Sequence, residues 1–347
     1  MSRPQQPPTQ QPRTHLTRTD LAPLTRAALG PHRALAAVTR LRGGSKKGVY
    51  RLTLDDDSTA VAYVWSPDED YWDAAPPDPR DPFSHGTGLG LFTAAHDRLA
   101  AAGVRTPALR YADATHTHLP ADAAIVEDVR GDSLEEALRR EPRSAAGTLE
   151  RFADLLTALH AQQGPTFGKV ALVDNGGVPT GSSCEGLVAG RALGDIAEIA
   201  AREPRAAAVR AELADAVRDL AAAVRPRDRY TLVHGELGPD HVLVTADGHP
   251  ALIDIEGLMY FDVEWEHVFL RLRFGPHYDM LRTPGRTRDR TSGLDEDRLR
   301  LYRLAMHLSL VAGPLRLLDG DFPDPEFMRG IAEYNLGQAL SLLPTAS

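Results

Sequence analysis

Between Leu35 and Trp65 apolar and polar residues alternate around two turn signals, "GGSKKG" (Gly43 to Gly48) and "DDDS" (Asp55 to Ser58). A period of two between such turns predicts three antiparallel strands, near Ala36–Leu41, Val49–Leu54 and Ala60–Trp65. A helix over Leu21–Leu29 is predicted before them. The run "AAPPDPRDPFSHGTGLG" after them is too rich in proline and glycine for regular structure. Leu91, Ala95, Leu99 and Ala102 then recur at helical spacing up to Gly103, a helix stop. Two more strands are predicted around Ala108–Tyr111 and Ala123–Glu127.

Beyond Glu127 the period lengthens. Ser133 with Glu136 has the spacing of a capping box. Leu149, Phe152, Leu155, Leu156 and Leu159 stripe one helix, and Val209, Leu213, Val217, Leu220 and Val224 stripe another. A hairpin, "TLVHGELGPDHVLVTADGHPALIDIEG" (Thr231 to Gly257), interrupts the helices. Two terminal helical segments follow, with a break expected near Pro314. No repeat recurs along the chain. The division predicted from these patterns is a disordered tail over 1–20, a β-rich lobe over 21–127 and a helical lobe over 128–347. The tail is inferred from its proline, glutamine and threonine content.

Composition narrows the function. Of 347 residues, 42% are hydrophobic and 25% charged, which is ordinary for a globular protein. A net charge of −9 argues against nucleic acid or an anionic membrane as the main partner, and favours cationic ligands. The single cysteine, Cys184, excludes an internal disulfide and argues against thiolate zinc. It reads as a small buried hydrophobe. No apolar run reaches the roughly 18 residues of a membrane span, and the N-terminus lacks a signal-peptide core, so a cytoplasmic location is expected. Lysine occurs only at Lys46, Lys47 and Lys169, leaving 36 of the 39 basic residues as arginine. Where arginine replaces lysine so widely, two adjacent lysines in a glycine-rich turn stand out.

The candidate chemistry lies at the hairpin ends, where strands fix the backbone under His234, Glu236, His241 and Asp254. "HGELGPDHVLV" and "LIDIEG" resemble the signature of the aminoglycoside phosphotransferase family, with its choline-kinase and macrolide-kinase relatives. That signature is His-Gly-Asp-Leu, then Pro and Asn, then Ile-Asp. "RLRGGSKKGVYRL" is similar to the family's nucleotide-covering turn, "AIVEDVRGDSLEEAL" to its hinge and following helix, and "LLTALHA" to the helix before the catalytic part. The resemblance implies an α+β bilobal protein-kinase-like fold, with an antiparallel β-sheet N-terminal lobe and a larger helical C-terminal lobe. It implies a small-molecule kinase that transfers the γ-phosphate of ATP or GTP to a hydroxyl of an antibiotic, sugar or metabolite.

On this resemblance Glu236 stands at the catalytic base, and His241 and Asp254 at the Mg²⁺ ligands. Imidazole at residue 241 also suits Mn²⁺. Gly43, Gly44 and Ser45 would approach the phosphates through their backbone, and the main chain of Glu127, Asp128 and Val129 would hold the base. Glu256 and Glu264 are the carboxylates expected to bind a cationic acceptor. Asp262 is expected to cap the next helix, with Glu266 and His267 facing solvent and His234 ordering the turn. The protein is expected to be a monomer or homodimer.

Four positions depart from the family pattern. The third strand, "AVAYVW", lacks the lysine that normally pairs the nucleotide phosphates, and the helix "LFTAAHDRLAAAG" lacks that lysine's glutamate partner. Glutamate replaces aspartate at residue 236, and histidine replaces asparagine at residue 241. Lys46 and Lys47 are the cations left to contact the phosphates, with Lys46 the expected choice. The alternative function is a pseudokinase that binds nucleotide or a small ligand and acts through a partner.

Overall fold

A computed structural model describes residues 13–41, 44–72, 76–281 and 293–343. The chain forms two compact units, one of Met1–Tyr71 with Arg110–Glu127, the other of Trp72–Leu109 with Asp128–Ser347.

The first unit holds α1 (Arg18–Leu29), β1 (Leu35–Arg40), β2 (Gly48–Leu54), β3 (Thr59–Trp65), β4 (Leu109–Asp113) and β5 (Asp122–Glu127). The strands form one sheet in the order β1-β2-β3-β5-β4. Tyr50, Leu52 and Leu54 of β2, Ala60, Ala62 and Val64 of β3, and Ala123 and Ile125 of β5 pack with Leu21 and Leu24 of α1. Because alternate residues point to opposite faces, Val49, Val61, Tyr63 and Trp65 occupy the other face. Residues 13–20, which the sequence reading placed in a disordered tail, are ordered, and Arg13 donates to the Asp70 carbonyl at 2.7 Å. Asp20 accepts a hydrogen bond from the Thr17 N–H at 2.8 Å, so Arg18 to Asp20 form the first turn of α1. Residues 1–12 lie outside the described residues.

The second unit contains α2 (Leu89–Ala101), although β4 and β5 follow it in sequence. Its buried face, Leu89, Phe92, Ala95 and Leu99, packs within this unit, so residues 72–109 do not cluster with the β-rich lobe in which the sequence reading placed them. Next come α3 (Leu134–Arg140), α4 (Ala146–His160), β6 (Gln163–Gly164), β7 (Gly168–Lys169), α5 (Val170–Val173), α6 (Cys184–Ala200), α7 (Pro204–Ala208) and α8 (Arg210–Ala223). The remainder is β8 (Tyr230–Val233), β9 (Val242–Val244), β10 (Pro250–Leu252), β11 (Met259–Phe261), α9 (Val263–Phe274), α10 (Tyr278–Leu281), α11 (Glu296–Leu318) and α12 (Pro325–Ser341). The main core lies among α6, α8, α9, α11 and α12.

The hairpin is split between two sheets. β9 and β10 pair with each other, Val242 opposite Leu252 and Val244 opposite Pro250. β8, just before the His-Gly-Glu turn, instead pairs with β11 in a sheet of order β6-β8-β11-β7. The break expected at Pro314 is absent, and α11 runs through it to Leu318. Pro314 removes one helical hydrogen bond. It lies buried with Val311, Ala312, Gly313 and Leu317 in the face packed on neighbouring helices, and that packing keeps the helix continuous. Among the described residues, no helix is long and apolar enough to cross a membrane.

Candidate active site

Two histidines and an aspartate meet where β8 and β10 end and β9 begins. His234 is fully buried, and its Nε2 lies 2.9 Å from the Ile253 carbonyl oxygen. A carbonyl can only accept, so Nε2 carries a proton. Burial pushes its pKa down to about 4. The His241 ring stacks beside it at 5.8 Å, and its Nδ1 donates to the Glu236 carbonyl at 2.8 Å. In the neutral ring this tautomer leaves the Nε2 lone pair on the side of Asp254, whose Oδ2 is 3.8 Å away. The Ile253 N–H donates to the His241 carbonyl at 3.0 Å, which ties the two segments together. Asp254 itself sits in the left-handed region at φ 58° and ψ 47°, a conformation short polar residues tolerate.

A histidine whose Nδ1–H is fixed by a carbonyl while Nε2 faces a carboxylate has the arrangement of a metal ligand with its orienting partner. No group of three or more His, Cys, Asp or Glu side chains among the described residues could hold a metal ion alone. A pair suffices for magnesium, which keeps waters and substrate phosphates as its other ligands. Asp240 places its Oδ2 3.7 Å from the same nitrogen, while its Oδ1 pairs with Arg273 at 2.8 Å.

Glu236 is exposed on a backbone fixed on both sides. Its carbonyl accepts from His241 and from the Gly238 N–H at 3.1 Å. Gly235 before it has φ +92°, a value that favours glycine. Its N–H donates to Glu266 Oε2 at 2.8 Å, and its carbonyl accepts from Trp265 Nε1 at 3.2 Å. Both partners come from the first turn of α9. The sequence reading turned Glu266 toward solvent, but it is fully buried, and its Oε1 has no hydrogen-bond partner among the described residues. Burial pushes its pKa up to about 7 against the opposing pull of backbone N–H groups. The only signal in the sequence is that α9 lacks a clean polar face.

Glu264 cannot serve an acceptor molecule. It is fully buried, and Arg227 donates to both carboxylate oxygens at 2.8 Å. The Asp295 N–H takes the remaining capacity of Oε1 at 2.9 Å. Asp262 heads α9 without capping it; its carboxylate accepts from Arg298 Nε at 2.7 Å and from the Tyr302 hydroxyl. Glu256 is buried in the single turn Ile255–Gly257. Burial raises the Cys184 thiol far above the usual range, which keeps it protonated.

In the first unit, Gly44 has φ +85°, and a side chain there would come within 2.9 Å of the Lys47 carbonyl. Gly43 lies outside the described residues. The Ser45 carbonyl accepts from the Tyr71 N–H at 2.8 Å. Lys46 is half-buried and Lys47 buried. Glu127 ends β5, and in the other unit Asp128 and the buried Val129 continue the chain. No lysine stands on β3, and the one acid of α2, Asp97, is exposed.

A family model described as a phosphotransferase enzyme family matches residues 37–302, more than three quarters of the chain. The chain belongs to the phosphotransferase enzyme family. No curated protein matches this phosphotransferase-family sequence. Among solved structures, spectinomycin phosphotransferase APH(9)-Ia with ADP and spectinomycin is similar at a TM-score of 0.64 and 11% identity, over 93% of this chain and 98% of that one. Choline kinase LicA from Streptococcus pneumoniae gives 0.59 and 12%, over 95% and 99%. Aminoglycoside phosphotransferase APH(4)-Ia gives 0.58 and 17%, over 92% and 99%. At such identities the likeness establishes the fold, which is α+β and protein-kinase-like.

Proposed function

We propose that this member of the phosphotransferase family is a cytoplasmic, metal-assisted kinase that moves the γ-phosphate of ATP or GTP to a hydroxyl of a small molecule. The observation that carries the reading is the 3.8 Å approach of His241 Nε2 to Asp254, beside an exposed Glu236 on a fixed backbone. Some of the similar structures contain ADP or AMP-PNP with hygromycin B, or ADP with spectinomycin, which supports an adenine nucleotide and a hydroxylated acceptor.

Phosphoryl transfer needs positioning and charge neutralisation more than covalent help. Glu236 would accept the proton of the attacking hydroxyl, the one step that demands a base. Its side chain is one methylene longer than aspartate, and a misplacement of about 1 Å can cost roughly 100-fold in rate. The fixed backbone therefore decides whether the acceptor hydroxyl meets the carboxylate. His241 and Asp254 would hold the divalent cation. Bound there, a divalent cation neutralises the charge of the transferring phosphoryl group. The backbone N–H groups of Gly43, Gly44 and Ser45 would meet the phosphates, and the main chain of Glu127 to Val129 the base. Of the two carboxylates expected to bind an amine of the acceptor, Glu256 is the one retained here.

Nucleotide consumption against a panel of hydroxylated metabolites, sugars and aminoglycosides tests the proposal. Turnover with at least one acceptor, requiring a divalent cation and lost in Glu236→Gln, is the expected result. Normal ATP binding with no turnover on any acceptor would favour the pseudokinase instead, a reading that rests on the missing lysine of β3, its missing glutamate partner and the replaced catalytic aspartate.

A further inference from the structure

The missing strand lysine leaves a chemical gap. A triphosphate carries three to four negative charges, and the chain around it is itself acidic, at −9. The turn between β1 and β2 is the place where two of three lysines stand.

The register of the sheet says where they point. β2 pairs Gly48 with Val64 and Val49 with Tyr63 of β3. Continued by one residue, the same register sets Lys47 beside Trp65. Lys47 therefore shares the face of Val49, Tyr63 and Trp65, the one turned away from α1. The side chain follows this placement. Lys47 is only 5% exposed, and its Nζ lies 5.3 Å from the centre of the Tyr63 ring. Lysine is almost never fully buried unless its charge is compensated, and an aromatic face supplies part of that compensation. The chain just before Lys47 is also tied down, with the Ser45 carbonyl accepting from the Tyr71 N–H at 2.8 Å.

We infer that Lys47 delivers to β3, from the neighbouring turn, the phosphate-binding ammonium that the strand lacks, with Tyr63 as the platform on which it waits. The assignment rests on the kinase reading above and moves the expected contact from Lys46 to Lys47. A lysine stem has four rotatable bonds, so the head can leave the ring and trade a cation–π contact for phosphate oxygens without moving the strand. Tyr63 then becomes a positioning residue. Its ring keeps the ammonium on the correct face of the sheet before nucleotide binds.

The test is a calorimetric titration of ATP and of adenosine, each with Mg²⁺, into the full-length protein and four variants. Lys47→Met keeps an apolar stem for Tyr63 to pack on and removes only the charge. It should weaken ATP by about 10- to 100-fold, the range for a lost charged hydrogen bond, with adenosine changed less than about twofold. Lys46→Met should change ATP less than about threefold. Lys47→Met/Tyr63→Lys, which returns a lysine to β3, should regain much of the lost ATP affinity, whereas Lys47→Met/Tyr63→Leu should not. Wild-type protein that binds ATP while Lys47→Met binds it equally well would overturn the assignment alone. So would equal weakening of ATP and adenosine. Wild-type protein that binds neither ATP nor GTP would remove the kinase reading itself.

Discussion

Replacing Glu266 by glutamine should make stability depend on pH in a way the wild-type protein conceals. Glu266 is buried beneath the turn that carries Glu236, with a pKa raised to about 7 from 4.5. Below pH 4.5 the carboxyl is protonated folded and unfolded, and burial costs little. Between 4.5 and 7 the folded state keeps a proton that the unfolded state has released, so stability falls as pH rises. Above 7 the full cost is present. Two and a half pH units correspond to a cost on the order of 3 kcal/mol. Glutamine keeps the carbonyl that accepts from the Gly235 N–H and has no charge to bury. Its amide would stand where Oε1 has no partner, a cost of about 1–3 kcal/mol that does not vary with pH. The variant should therefore gain about 3 kcal/mol on the wild type between pH 4.5 and 8, whatever the constant offset. His234 acts in the opposite direction. Its pKa, depressed to about 4 from 6.5, makes stability fall as pH drops through that interval. In the wild type the two slopes oppose each other, and in the variant the histidine slope stands alone. Urea unfolding at four pH values, followed by the fluorescence of the adjacent Trp265, reads this directly. A stability difference that is the same at pH 4.5 and 8 would refute the reasoning.

Glu236→Gln should keep nucleotide affinity but lose roughly 10²–10⁴ in turnover, as expected for a positioned base; unaltered turnover would remove Glu236 from that role. Glu236→Asp then measures how far the site has adapted to the longer side chain, and a gain in rate would show that it has not. Arg227→Leu should destabilise the protein by about 3–5 kcal/mol, because it leaves the Glu264 charge buried and unpaired. Arg227→Leu/Glu264→Leu should cost less than the single change, and an additive loss in chemical denaturation would contradict the pairing.

The sheet of the first unit was legible because alternation from β1 to β3 obeys a local rule, one face meeting α1. Of the hairpin, the β9–β10 pair around the Asp247-Gly248 turn was legible from its apolar runs, whereas the pairing of β8 was not, because its partner β11 lies beyond the hairpin. What the sequence concealed depends on partners distant along the chain. Glu264 looks like an exposed acid until Arg227, 37 residues earlier, is seen on both of its oxygens. Glu266 looks like a solvent-facing helix residue until Gly235 turns its N–H toward it. Pro314 reads as a helix break because the local cost of proline is visible, whereas the packing that overrides it is not. Lys47 and Lys46 cannot be told apart by composition; the burial of Lys47 and its contact with the Tyr63 ring separate them.

The most direct test of the hairpin end is pulsed electron paramagnetic resonance of Mn²⁺ with ATP bound to the protein. The expected echo carries modulation from a directly bound imidazole nitrogen, absent in His241→Asn, while Asp254→Ala loses metal-dependent ATP binding altogether. A wild-type Mn²⁺–ATP complex with no such nitrogen, or ATP affinity that is unchanged in Asp254→Ala, would contradict the assignment of these two residues to the metal.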